Sequence, residues 1–193
     1  DESVDAETGN ITIKKTSDNS TIETIDVTGS KVTGSGSAQI TVNPATTLDS
    51  STEYYVLIDA TAFDDSSSNS YAGISSTTAL SFTTADVANP TLSSSSPADN
   101  ATAVALDANI VLNFNESVDA EIGGFIYLKK TSDNSTVESF NVTGSKVTGS
   151  GSSQITVNPT SNFDPNIEYY VLIDASAFDD SSSNSYAGIS STT

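Results

Sequence analysis

Apolar residues along this chain come in short alternating runs. Ile110, Leu112 and Phe114 are interleaved with Val111 and Asn113, Ile40 and Val42 with Gln39 and Thr41, and Leu80 and Phe82 with Ser81 and Thr83. A period of two sends successive side chains to opposite faces of an extended backbone, so each run predicts a β-strand with one apolar face turned inward. Residues 54–58, Tyr-Tyr-Val-Leu-Ile, are apolar at both parities. That pattern predicts a central strand, covered by an opposing sheet on one side and edged by aromatic rings on the other. Gly29, Gly34 and Gly36, with Gly144, Gly149 and Gly151 further on, fall between runs where hairpins must turn. No segment carries a 3.6-residue period, and the expected class is all-β.

The runs recur. Residues 16–78 realign on residues 131–193 at a constant shift of 115, with 50 of 63 positions identical. Lys14-Lys15-Thr16-Ser17-Asp18-Asn19 returns as Lys129-Lys130-Thr131-Ser132-Asp133-Asn134, and Glu2-Ser3-Val4-Asp5-Ala6-Glu7 matches Glu116-Ser117-Val118-Asp119-Ala120-Glu121 after a one-residue insertion. A period of this length is too long for a solenoid coil and has the size of a whole domain. About seven strands per period is the arithmetic of a two-sheet sandwich. The strand pattern stops near Ala85-Asp86-Val87-Ala88-Asn89-Pro90, where proline favours an extended linker. The expected units are therefore residues 1–86, a repeat lacking its first two strands, and residues 87–193, a repeat lacking its last.

Composition removes most chemistries. The chain has 193 residues, 25 of them acidic against six lysines, for a net charge of -19, and no histidine, cysteine, methionine or tryptophan. Without imidazole or thiol there is no histidine base, cysteine nucleophile, disulfide or soft-ligand zinc site. Six lysines cannot neutralise enough phosphate to hold nucleic acid. No apolar run approaches the roughly 20 residues of a membrane helix, so no membrane insertion is expected in this segment. Serine and threonine supply nearly a third of the residues, yet the grouped apolar runs argue for a packed core over a solvated tail.

The order of motifs in the second copy carries a resemblance. Pro97-Ala98-Asp99 is followed by Phe114-Asn115-Glu116-Ser117-Val118-Asp119, then Tyr169-Tyr170-Val171-Leu172-Ile173, then Asp179-Asp180 through Asn184. This succession resembles the bacterial Ig-like tandem repeats of large extracellular adhesins and surface fibres, with serines 181–183 and 185 where that family often has a glycine. The resemblance implies tandem Ig-like Greek-key β-sandwiches in a protein at the cell surface. It also implies a non-enzymatic role as a structural stalk that extends a distal binding domain. Two alternatives accompany it: a subunit of a fibre assembled by β-strand exchange, in which neighbouring repeats or chains are partners by strand complementation, and a carbohydrate or host-surface binding module.

One loop gathers oxygen ligands in both copies. Asp64, Asp65 and Asn69, with Asp179, Asp180 and Asn184, are carboxylate and amide groups of the type hard cations prefer, and calcium is the expected ion. The competing reading is an Asx-type loop whose side chains bond their own backbone. Glu2, Asp5, Glu116 and Asp119 are candidates to join the same end of each sandwich. A carboxylate pair is also the raw material of acid–base catalysis, but nothing here supplies a nucleophile with a base and an orienting group.

Overall fold

The computed structural model describes residues 2–191, which divide into two compact units, Asp1–Asp86 and Val87–Thr193. The first unit contains β1 (Val4–Ala6), β2 (Asn10–Lys15), β3 (Thr21–Asp26), β4 (Val32–Thr33), β5 (Thr41–Val42), β6 (Glu53–Ile58), β7 (Phe63–Asp65) and β8 (Ser81–Thr83). The second contains β9 (Leu92–Ser96), β10 (Ile110–Ala120), β11 (Phe125–Lys130), β12 (Thr136–Asn141), β13 (Val147–Thr148), β14 (Ser152–Val157), β15 (Tyr169–Ile173) and β16 (Phe178–Asp179). Every pairing between these strands is antiparallel, and the fold class is the all-β one that the alternation predicts.

In the second unit one sheet runs β12-β11-β15, and the other runs β13-β14-β10-β16 with β9 also on β10. The alternation seen in sequence puts Ile126, Leu128, Phe140 and Ile173 of the first sheet against Ile110, Leu112, Phe114, Val118, Ile155 and Val157 of the second in a single buried cluster. Phe178 and Tyr186 complete it around Phe114, their rings centred 5.5 and 5.1 Å away.

The first unit repeats this plan as β3-β2-β6-β8, β4-β5 and β1-β7. Here the core divides into two smaller clusters, around Ile11, Val27, Ala62 and Phe63 and around Ile13, Ile25 and Tyr54. Among the described residues of this unit β5 pairs with β4 and with no strand placed as β10 is beside β14, and Ile40 and Val42 are half-buried where Ile155 and Val157 are fully buried.

Two local features depart from the alternation argument. Leu80 and Phe82 were expected to face inward, yet both remain about 40% exposed, Leu80 at 42% and Phe82 at 40%. Alternation fixes which residues share a face but not whether a second sheet covers it; the Phe82 ring lies 6.0 Å from that of Tyr54. Among the hairpin glycines, Gly34 and Gly149 have φ of 98° and 104°, and a Cβ there would lie 2.1 Å from the carbonyl oxygen of Gln39 or Gln154. Those two turns require glycine, whereas Gly29 and Gly144 are not among the positive-φ positions.

Candidate functional site

The acidic loop leaves β7 in one unit and β16 in the other, and its backbone is organised by one carboxylate. Asp65 Oδ1 accepts the backbone N–H of Ser67 and of Asn69, both at 2.8 Å, while Oδ2 accepts Asn69 Nδ2 at 2.7 Å. Asp180 does the same with Ser182 at 2.8 Å, Asn184 at 2.9 Å and the Asn184 amide at 2.8 Å. This is Asx geometry, in which a side chain substitutes for a turn. The Asn69 amide and the two N–H donors hold the Asp65 carboxyl below its ordinary pKa. Asp180 is 6% exposed; burial there opposes ionisation, but the bonds from Asn184 and Ser182 prevail and its pKa is also lowered.

The neighbouring aspartates behave differently. Asp64 lies directly across the ladder from Asp5, and Asp179 from Asp119. Like charges opposed on adjacent strands destabilise the pair unless something lies between them or they turn apart. Asp5 Oδ1 accepts the Ser35 hydroxyl and Asp119 Oδ1 the Ser150 hydroxyl, each at 3.3 Å. Asp64 Oδ1 and Asp179 Oδ1 are buried with no hydrogen-bond partner among the described residues. Within the second unit Glu116 brings a carboxylate oxygen within 4.8 Å of one on Asp180. Asp5 therefore shares one end of its unit with Asp64, and Glu116 and Asp119 share one with Asp180 and Asp179. Asp65 and Asp180 serve the loop, and Asp64 and Asp179 are the groups with an uncommitted oxygen that a hard cation would take.

Other acids that the sequence reading passed over have structural posts. Asp59 Oδ2 accepts the N–H of Asn10 at 2.8 Å, and Asp174 Oδ2 that of Phe125 at 3.1 Å, each closing the start of an inner strand. Their fixed place after the Tyr-Tyr-Val-Leu-Ile strand in both copies was the available signal. Glu23 accepts Lys31 Nζ and the N–H groups of Ala45 and Thr46, at 2.9 and 3.0 Å, which pulls its pKa down to about 2. Lys15 and Lys130 pair with Asp49 and Asp164 at 3.0 and 2.9 Å. Tyr54, Tyr55 and Tyr186 are buried, which removes their rings from any sugar-stacking role.

The bacterial Ig-like domain model matches residues 1–84 and again residues 86–193. The chain belongs to the bacterial Ig-like domain family. Comparison with curated proteins and with solved structures found no match. Bacterial Ig-like domains are structural, non-enzymatic modules typical of bacterial surface and extracellular proteins. The loop acids of this Ig-like pair sit where a strand ends and a turn must be held.

Proposed function

We propose that the chain is a stretch of the structural stalk of a bacterial extracellular adhesin or surface filament, whose repeats carry a distal binding domain away from the cell. The observation that supports this most is the duplication itself: one all-β unit is copied at 50 of 63 positions, with the charged loop kept intact in both. A catalytic module gains nothing from a near-identical neighbour in series and a binding module gains only avidity toward a repeated ligand, whereas a spacer gains length. Its partners on this reading are neighbouring repeats of the same protein, and its acidic surface keeps them from aggregating.

Two measurements test the proposal. Antibody raised against this chain should label intact cells, and the label should vanish after brief surface proteolysis. Deleting both units from the parent protein should lower cell attachment while leaving the purified distal domain's affinity unchanged. Intact labelling only after cell lysis, or attachment indifferent to the deletion, would overturn the reading.

Calcium is a second element of the proposal, motivated by the buried, unpartnered oxygens of Asp64 and Asp179 facing Asp5 and Asp119. An ion there would relieve the opposed charges of both cross-strand pairs.

A further inference from the structure

The two copies differ most tellingly on the face of the inner sheet that points away from the core. In β11, Ile126 and Leu128 are buried and Phe125 and Tyr127 lie on the other side. The aligned positions of β2 hold Asn10 and Thr12. Across the ladder Phe125 pairs with Asn141 of β12, where the first unit pairs Asn10 with Asp26. Four replacements, Asn to Phe, Thr to Tyr, Asp to Asn and, across from Tyr127, Thr24 to Ser139, thus fall on one small patch of two otherwise closely matched sheets.

The patch has a defined geometry. The Phe125 and Tyr127 rings are near-parallel, 26° apart, with centroids 6.1 Å from each other. Tyr127 pairs with Leu172, yet its hydroxyl donates to Asp174 Oδ2, one residue past the end of β15, at 3.4 Å. The ring is therefore drawn over the sheet and not upright on it. Burial, and after it the Asp174 charge, raise the Tyr127 pKa above its ordinary value, and the phenol is a donor. Asn141 Oδ1 is committed to Thr143, accepting its N–H at 2.9 Å and its hydroxyl at 2.8 Å. That leaves Asn141 Nδ2 as a donor, and Asp174 Oδ1 as an acceptor, with no hydrogen bond among the described residues. The pair of rings is flanked by one free donor and one free acceptor.

We propose that this face of the second unit binds a neutral polysaccharide. A pyranose offers an apolar C–H face to lie on aromatic rings and hydroxyls that both donate and accept. Phe125 and Tyr127 take the C–H face, Asp174 accepts from a hydroxyl, and Asn141 donates to another. Charge complementarity selects the class. The patch carries the Asp174 carboxylate on a chain of net charge -19; Lys129, whose Nζ donates to the Thr136 hydroxyl at 3.2 Å, keeps its single positive charge and does not offset the rest, so polyanionic sugars are repelled. In the first unit the same row reads Asp26, Asn10 and Asp59, with the Asn10 amide closed onto Asp59 at 3.3 Å, and no platform exists. The inference is independent of the stalk reading, because a spacer repeat and a free module would carry the patch equally.

The whole chain is titrated with cellohexaose, laminarihexaose and mannohexaose, and with an oligogalacturonate as the anionic comparison, while the ring resonances of Phe125 and Tyr127 are followed. At least one neutral sugar is expected to move both rings and saturate at one site per chain. The double variant Phe125→Asn with Tyr127→Thr installs the residues of the first unit and is expected to bind at least tenfold more weakly, about 1.4 kcal/mol. Should that variant fail to fold, the reverse triple change Asn10→Phe, Thr12→Tyr and Asp26→Asn decides by stoichiometry: two sites per chain support the proposal and one overturns it. No ring shift with any neutral sugar at about 10 mM, in the weakest affinity range worth measuring, overturns it too. So does undiminished binding by the folded double variant or preference for the oligogalacturonate.

Discussion

Ser68 and Ser183 occupy the left-handed region, with φ of 61° and 65°, in the turn that follows the anchoring aspartate. Each donates its N–H to the carbonyl of the anchoring aspartate, Asp65 or Asp180, at 3.0 Å. The left-handed conformation costs a side-chain-bearing residue about 1–2 kcal/mol, and glycine would forfeit about 0.5–1 kcal/mol in unfolded-chain entropy. Conformational relief exceeds the entropic loss, so Ser68→Gly and Ser183→Gly should each stabilise their unit by about 0.5–1 kcal/mol, read as a shift in urea midpoint at unchanged slope. The acids anchoring these turns give a second expectation. Glu23, Asp65 and Asp180 all have folded pKa values below their ordinary ones, Glu23 at about 2 against 4.5. A depressed carboxylate stabilises fully above its unfolded pKa and loses that contribution as pH falls toward the folded value. Melting temperature should thus fall as pH drops from about 4.5 toward 2, and Glu23→Gln should flatten the first unit's share of that slope. A slope unchanged in the variant would show that Glu23 does not latch the segment at Ala45 and Thr46.

At the scale of strands, coverage decides what each buried position is worth. Ile155 is wholly buried between two sheets, whereas its counterpart Ile40 is half-buried. Removing a fully enclosed isoleucine costs about 2–5 kcal/mol, so Ile155→Ala should destabilise the second unit by about 3 kcal/mol. Ile40→Ala should cost the first unit less than half as much, followed unit by unit through hydrogen exchange in the intact chain. The same distinction marks what could be read in advance. Alternation identified strands such as Ile110–Phe114, and identity between copies identified the repeat, because both are properties of local order. Exposure of Leu80 and Phe82 was not legible, since it depends on what the opposite sheet supplies. The Asx role of Asp65 and Asp180 was legible because it is closed within five residues. The opposition of Asp5 to Asp64 was not, because it depends on ladder register across nearly sixty residues. The Phe125 and Tyr127 patch was open to a position-by-position comparison of the copies, but its outward orientation needed the burial pattern of β11.

For the molecule as a whole, a charge of -19 is set against only three ion pairs among the described residues. Most of this negative charge is therefore not neutralised by a cation, and folding concentrates it. Sodium chloride screens this repulsion, with a Debye length that falls from about 30 Å at 0.01 M to about 10 Å at 0.1 M, so the melting temperatures of both units should rise over that range. A bound cation adds something screening cannot. At matched ionic strength calcium chloride should raise the midpoints above those in sodium chloride, and excess EDTA should return them to the sodium values. Asp64→Asn with Asp179→Asn separates the two effects, since it removes one charge from each opposed pair and takes away the uncommitted carboxylate oxygen. If calcium acts there, the variant keeps its response to sodium and loses the calcium increment. If calcium acts only as ionic strength, wild type and variant respond alike to both salts. That result would leave the loop aspartates as turn anchors and strand-end acids, in a repeat stabilised by its core alone.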